Sequence, residues 1–237
     1  MVSMKKLFTI PILLLLAGCD IAVLDAKSET GQDQAFLIWF SFGLMMIVLL
    51  IVFILFARFV WKYRETNQNK DTLPKDVKGN KKLEITWTTL AVLLLAVLAV
   101  PTVSITYNQS PILSSSEESE QAVHVTVTGQ QYFWTFDYEN GKQTTNKLVI
   151  PANKTIVFHL KSSDVIHSFW IPRLAGKTDV LPGKELLYKI ANPEIGTYEG
   201  HCAEFCGVQH AKMQFTTQVV SNEDYEKWLE VRAQKGG

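Results

Sequence analysis

Two runs of 23 residues without one charged side chain, 35–57 and 85–107, constrain this 237-residue chain more than any other feature. At about 1.5 Å rise per helical residue, each run covers the roughly 30 Å of bilayer hydrocarbon. Inside hydrocarbon a chain must satisfy its own backbone polar groups, and a helix does so within one segment. We therefore expect membrane-spanning helices over residues 35–63 and 83–107, the second carrying Pro101 as a local breaker. Trp39 and Trp61 stand near the two ends of the first run, where amphipathic rings favour the lipid headgroup level.

The N-terminal apolar stretch is shorter and of another kind. Lys5 and Lys6 precede a mainly apolar run over residues 7–16, and Ala17-Gly18-Cys19 follows. A basic start, a short apolar core and small residues at a cleavage point make a signal peptide over residues 1–18. Small residues directly before a cysteine resemble the lipobox of bacterial lipoproteins, in which Cys19 becomes a lipidated N-terminus with acyl-chain affinity for membrane lipid. An ordinary signal peptide or an uncleaved anchor with a chance cysteine stays open. Both alternatives export residues 19–34.

The flanks set the orientation. Between residues 58 and 82 lie eight Lys or Arg against three acids, whereas residues 20–34 hold one Lys and residues 108–121 none. Positive loops stay cytoplasmic, so residues 64–82 form a cytoplasmic loop and everything after the second span faces outward. The expected location is the bacterial cell membrane, crossed more than once, with the C-terminal domain on the periplasmic or extracellular face. Residues 108–121, serine-rich with Glu117, Glu118 and Glu120, form a linker.

Net charge excludes one class of partner. Lys plus Arg and Asp plus Glu both total 23, with no basic cluster in the C-terminal half, so no nucleic acid is expected. Neither a phosphate-cradling glycine loop nor a Gly-x-Ser-x-Gly elbow occurs.

After residue 121 the apolar period changes to two, as in His124-Val125-Thr126-Val127-Thr128 and residues 155–160. Residues 147–150, 185–191, 196–200 and 213–220 are further candidates, about seven strands in all, enough for a small β-sandwich or barrel. Ser221 or Asn222 caps a final helix in which Tyr225, Trp228 and Leu229 share a face.

The chemistry concentrates in Gly200-His201-Cys202-Ala203-Glu204-Phe205-Cys206-Gly207-Val208-Gln209-His210-Ala211-Lys212-Met213. Cys202, Cys206, His210 and Met213 lie on one loop between two candidate strands, and His167 comes from a separate part of the chain. Thiolate and thioether are soft ligands and imidazole borderline, a set that selects copper over magnesium, calcium or manganese. Two Cys and two His allow both thiolates to bridge a pair of coppers, with no open position for a substrate. A Cys202–Cys206 disulfide outside the cell is an alternative that leaves His210 and Met213 without a role. Zinc is another, although methionine is a poor zinc ligand. His124, His159 and His201 lack such company and are expected to be strand or surface residues.

At this point the chain resembles subunit II of the haem-copper cytochrome c oxidases, from the first span to Trp228. Besides the loop, Asp164-Val165-Ile166-His167-Ser168-Phe169-Trp170-Ile171-Pro172, Lys177-Thr178-Asp179-Val180-Leu181-Pro182-Gly183-Lys184 and Leu83-Glu84-Ile85-Thr86-Trp87-Thr88 carry the likeness. The resemblance implies a mainly β fold: a cupredoxin-like Greek-key barrel over residues 122–237, preceded by a two-helix transmembrane hairpin. It implies a binuclear copper centre, CuA, held by His167, Cys202, Cys206, His210 and Met213 with the backbone carbonyl of Glu204. The Glu204 carboxylate would reach a magnesium at the border with subunit I, and Glu84 would stand at the entrance of a proton channel there. Cytochrome c would supply electrons, subunits I and III would be partners, and haem in subunit I would reduce oxygen to water while protons cross the membrane. The family's Trp-Tyr-Trp stretch corresponds to Tyr132-Phe133-Trp134, which puts Tyr132 at the usual electron-receiving Trp and makes Tyr132 and Trp134 the expected electron-entry residues.

Residues 122–232 hold eleven basic and twelve acidic side chains, so overall charge does not by itself select a basic cytochrome. No Cys-x-x-Cys-His motif occurs, so the donor is expected to be another molecule. Quinol oxidase second subunits share the fold but lack the copper ligands. A copper-carrying assembly lipoprotein is the alternative from another class.

Overall fold

A computed structural model describes residues 21–66, 76, 78–110 and 122–231. The signal sequence with Cys19, most of the loop between the spans, residues 111–121 and residues 232–237 lie outside the described residues.

Helix α1 runs from Glu29 to Tyr63 and α2 from Lys81 to Gln109. Ser28 caps α1 by accepting from Gly31 N at 2.9 Å, and Glu29 in the first turn and Lys62 in the last complement the helix dipole. Asn80 caps α2, its Oδ1 accepting from Lys82 N and Leu83 N. Pro101 lies inside α2 without ending it. A proline removes one ladder bond, a loss that spanning helices tolerate. Both helices are long and apolar enough to cross a membrane.

Their ends reach beyond the uncharged runs, and for α1 that extension has a use. Its 35 residues extend about 52 Å at 1.5 Å each, well past a hydrocarbon core of about 30 Å. The surplus at the N-terminus docks on the β domain. Ser28 Oγ donates to Leu174 O, Ala191 N donates to Thr30 Oγ1 at 2.9 Å, and Gly176 N donates to Gln34 Oε1 at 2.6 Å. At the end of α2, the buried Lys189 donates from Nζ to Asn108 O at 2.7 Å. A cation on the last free carbonyls of a helix satisfies them and favours its dipole.

Gly31 makes the docking possible. A Cβ there would lie 2.9 Å from Leu174 O and 3.1 Å from Ala26 Cβ. Because the first neighbour is backbone, overpacking of about 1–3 kcal/mol outweighs the up to about 1 kcal/mol that alanine adds in helix propensity. Gly31→Ala is expected to lower the thermal midpoint of the detergent-solubilised chain; an unchanged midpoint would mean that helix and domain part without loss.

The β domain consists of two five-stranded sheets. The first runs β3-β2-β1-β5-β8, from Gln143–Thr145, Phe133–Tyr138, Val123–Gln130, Ile156–Ser162 and Leu186–Ile190. The second runs β4-β10-β9-β6-β7, from Lys147–Pro151, Gln214–Val220, Gly196–Cys202, His167–Trp170 and Thr178–Val180. β1 pairs parallel with β5 and β4 parallel with β10, while the remaining pairs are antiparallel. The expected barrel thus takes the form of a two-sheet sandwich of ten strands. β3, β6 and β7 go beyond the alternating segments of the sequence because three or four residues hold too few periods to show one.

Alternation puts Trp134, Phe136 and Tyr138 of β2 into the core, where Trp134 and Phe136 meet Phe169 and Phe215 of the opposite sheet. Phe169 and Phe215 stack at 5.0 Å and 9°, and Trp134 meets Phe169 edge-on at 5.5 Å. Helix α3, Asn222–Glu230, is capped by Ser221 and covers one edge, with Trp228 against Tyr138 at 4.9 Å and Lys142 Nζ 3.9 Å above the Trp228 ring.

Candidate metal centre

The second sheet builds the site at one end. β9 stops at Cys202, a loop carries Cys206, a 3-10 turn begins at His210, and Met213 immediately precedes β10. Cys202 N donates to Met213 O at 2.9 Å, closing the loop on itself. His167 opens β6, whose Phe169 is in register with Cys202 of β9, and that pairing brings the distant histidine to the loop.

The donor atoms face one another. Cys202 Sγ lies 3.8 Å from Cys206 Sγ and 3.8 Å from His167 Nδ1. Cys206 Sγ lies 3.6 Å from His210 Nδ1 and 3.7 Å from Met213 Sδ. The backbone carbonyl of Glu204 is 3.3 Å from Cys202 Sγ. Each thiol therefore has its own imidazole. The sulfurs are free and much farther apart than the roughly 2.05 Å of a disulfide. His167, Cys202, Cys206 and Met213 are buried, and His167 and Met213 are wholly shielded from solvent.

Second neighbours fix these groups. His167 turns Nε2 toward Asp164 Oδ1 at 2.8 Å, and Asp164 also accepts from Gln131 N and Val165 N. A carboxylate behind a histidine sets its tautomer and ring orientation, leaving the other nitrogen to face a ligand. Burial opposes ionisation of Cys202, yet hydrogen bonds with His167, the neighbouring backbone and His210 outweigh it and pull this thiol below its ordinary range. Cys206 is pushed up by burial and by the charge of Cys202 beside it. The metal-free pair thus favours one thiolate, and a cation is what both thiolates need.

Other candidate residues sit at different depths. Tyr132 is half-buried next to the loop: Gln131 Nε2 donates to Cys206 O at 2.5 Å, and a Cβ on Gly207, whose φ is +133°, would fall 2.6 Å from Tyr132 Oη. Glycine is the residue that tolerates that backbone and that approach. Trp134 belongs to the core, fully buried, with its ring 5.9 Å from His167. The Glu204 carboxylate is 46% exposed and 3.7 Å from Lys177 Nζ. Glu84 stands in the first turn of α2, at the end opposite the β domain. Asp164, Gln131 and Gly207 are neighbours of the cysteine loop and His167 that ligand spacing does not reveal. Only the acid three residues before His167 leaves a sequence signal.

The family model for the transmembrane domain of cytochrome c oxidase subunit II matches residues 19–105, and that for its periplasmic domain matches residues 141–220. Quinol oxidase subunit 2 of Bacillus cereus is 34% identical over 230 residues, covering 96% of this chain and 79% of the relative. The chain belongs to the subunit II family of haem-copper oxidases.

Cytochrome c oxidase subunit 2 of Alkalihalophilus pseudofirmus is 38% identical over 225 residues and that of Bacillus subtilis 35% over 228, covering 92% and 91% of this chain. The chain spans 65% and 64% of the lengths of these two relatives. A crystal structure of the periplasmic domain of subunit II of cytochrome oxidase from Bradyrhizobium japonicum, 30% identical, covers 46% of this chain and 91% of its own length with a TM-score of 0.44. This subunit II is therefore a membrane protein with an outer-face, two-sheet domain after a helical hairpin.

Proposed function

We propose that this subunit II is the electron-receiving subunit of a cytochrome c oxidase, with a CuA centre held by His167, Cys202, Cys206, His210, Met213 and the Glu204 carbonyl. One observation carries the reading: two buried thiols 3.8 Å apart, each faced by a different imidazole. The donor chemistry fits copper, since sulfur and imidazole together select it over harder ions. When bound, copper held by these residues would supply a one-electron relay from cytochrome c toward haem in subunit I, where oxygen would become water while protons cross the membrane.

The protein's own residues prepare that site. Asp164 holds His167 at one orientation, the core beneath Trp134 and Phe169 keeps β6 and β9 in register, and burial keeps water from the sulfurs. Fixed ligands reduce the rearrangement that a change of charge demands. Tyr132, at the rim, is the proposed point of electron arrival, together with Trp134, whose ring meets His167. Glu84, on the cytoplasmic side, is proposed at the mouth of a proton channel in subunit I, and the exposed Glu204 carboxylate as a magnesium ligand at the border with that subunit. Subunit III and membrane lipid complete the proposed surroundings, with Cys19 the proposed lipid attachment point.

The relatives named quinol oxidase subunit 2 favour a second reading, in which a quinol is the donor and the loop holds no copper. Metal analysis and paramagnetic resonance of the purified full chain separate the two. Two coppers per chain sharing one unpaired electron are expected. A single copper would point to a carrier protein, zinc to a structural site, and no metal to a quinol oxidase.

A further inference from the structure

In sequence His124 and His159 stand 35 residues apart; the fold puts them side by side. β1 and β5 run parallel with His124 beside Val157 and Thr126 beside His159. The two histidines are thus diagonal neighbours on the outer face of the first sheet, a separation that long side chains bridge. His124 Nδ1 lies 3.0 Å from His159 Nε2, with the ring centroids 5.3 Å apart.

The second nitrogen of His159 is also engaged. Nδ1 lies 2.6 Å from Glu185 Oε1, just ahead of β8, and the other Glu185 oxygen is 3.0 Å from Lys161 Nζ. Glu185 accepts a hydrogen bond from the Nδ1–H of His159, which leaves the Nε2 lone pair aimed at His124. Ligating histidines are held in this way, with a carboxylate behind and a free nitrogen ahead. Two nitrogens 3.0 Å apart match adjacent positions around an ion whose metal–nitrogen distances are about 2.0–2.1 Å. The side chains of His159 and Glu185 are 28% and 45% exposed, so the pair is open to solvent.

We propose that His124 and His159, backed by Glu185, bind one divalent transition-metal ion at a surface site separate from the cysteine loop. Two imidazoles without a thiolate suit Cu²⁺ and Zn²⁺, with Cu²⁺ the tighter, and not Mg²⁺ or Ca²⁺. On binding, the Nδ1 proton of His124 moves through water to Nε2 of the same ring, so both imidazoles stay neutral, each offers one lone pair to the ion, and water completes the coordination. The site stands on a different sheet from the loop and rests on no part of the reading of that loop.

The test uses the full chain in detergent, saturated with copper, freed of excess metal and then titrated with Cu²⁺ at fixed pH. One further ion per chain is expected, with the resonance signal of a mononuclear Cu²⁺ bearing nitrogen ligands, and calorimetry with Zn²⁺ should give the same stoichiometry. His124→Gln and His159→Gln should each abolish this uptake, and Glu185→Gln should weaken it about tenfold, as loss of a carboxylate behind a ligand does. His201→Gln should bind like the parent. Circular dichroism of each variant separates a lost site from a lost fold. Uptake that persists in both histidine variants, or no saturable uptake by the parent, overturns the proposal.

Discussion

A chain carrying Cys206→Ser is expected to assemble in the membrane, to lose the binuclear copper, and to leave cytochrome c-dependent oxygen uptake at the level of membranes without this subunit. Cys206 Sγ faces Cys202 Sγ, His210 Nδ1 and Met213 Sδ within 3.8 Å, so one substitution removes the donor that these three groups share. A serine hydroxyl is a hard donor and does not replace a soft thiolate toward copper. His201, half-buried on β9 beside Trp170, is outside this set, and His201→Gln should keep both copper and activity. Oxygen uptake with reduced cytochrome c and metal analysis of the same membranes check both variants. Full activity with Cys206→Ser would remove the loop from the electron path.

Phe169→Ala is expected to be the most damaging change outside the ligand set. Phe169 is fully buried and meets Trp134, Phe136, Phe158, Tyr188 and Phe215, which makes it the contact shared by both sheets. Truncating a buried Phe costs about 3–5 kcal/mol, a large part of the roughly 5–15 kcal/mol that holds a domain folded. Phe169 also lies in register with Cys202 and two residues from His167, so the cavity loosens two of the proposed ligands together. Denaturant unfolding of the detergent-solubilised chain should show the loss, with copper released at lower denaturant. Phe205→Ala, at a side chain 76% exposed, should change stability by less than about 0.5 kcal/mol. Equal effects of the two substitutions would refute the assignment of Phe169 as the hub.

The sequence by itself determined the parts whose physics is local. Two uncharged runs demand spanning helices because hydrocarbon offers no other partner to the backbone. The loop from Cys202 to Met213 shows its cluster of soft donors because those side chains follow one another along a short segment between strands. The final helix was legible from Ser221 and the spacing of Tyr225, Trp228 and Leu229.

Only the tertiary structure decided the rest. Acids at Glu29 and Asp33 interrupt the apolar run, so hydropathy could not show α1 continuing outward to dock on the β domain. The three shortest strands, β3, β6 and β7, draw their stability from partners across the sheet rather than from their own pattern. His167 reaches the loop, and His124 reaches His159, only because strand pairing and register close long stretches of chain. Each of those pairings is a cooperative result of the whole core, and no short segment of the sequence encodes it.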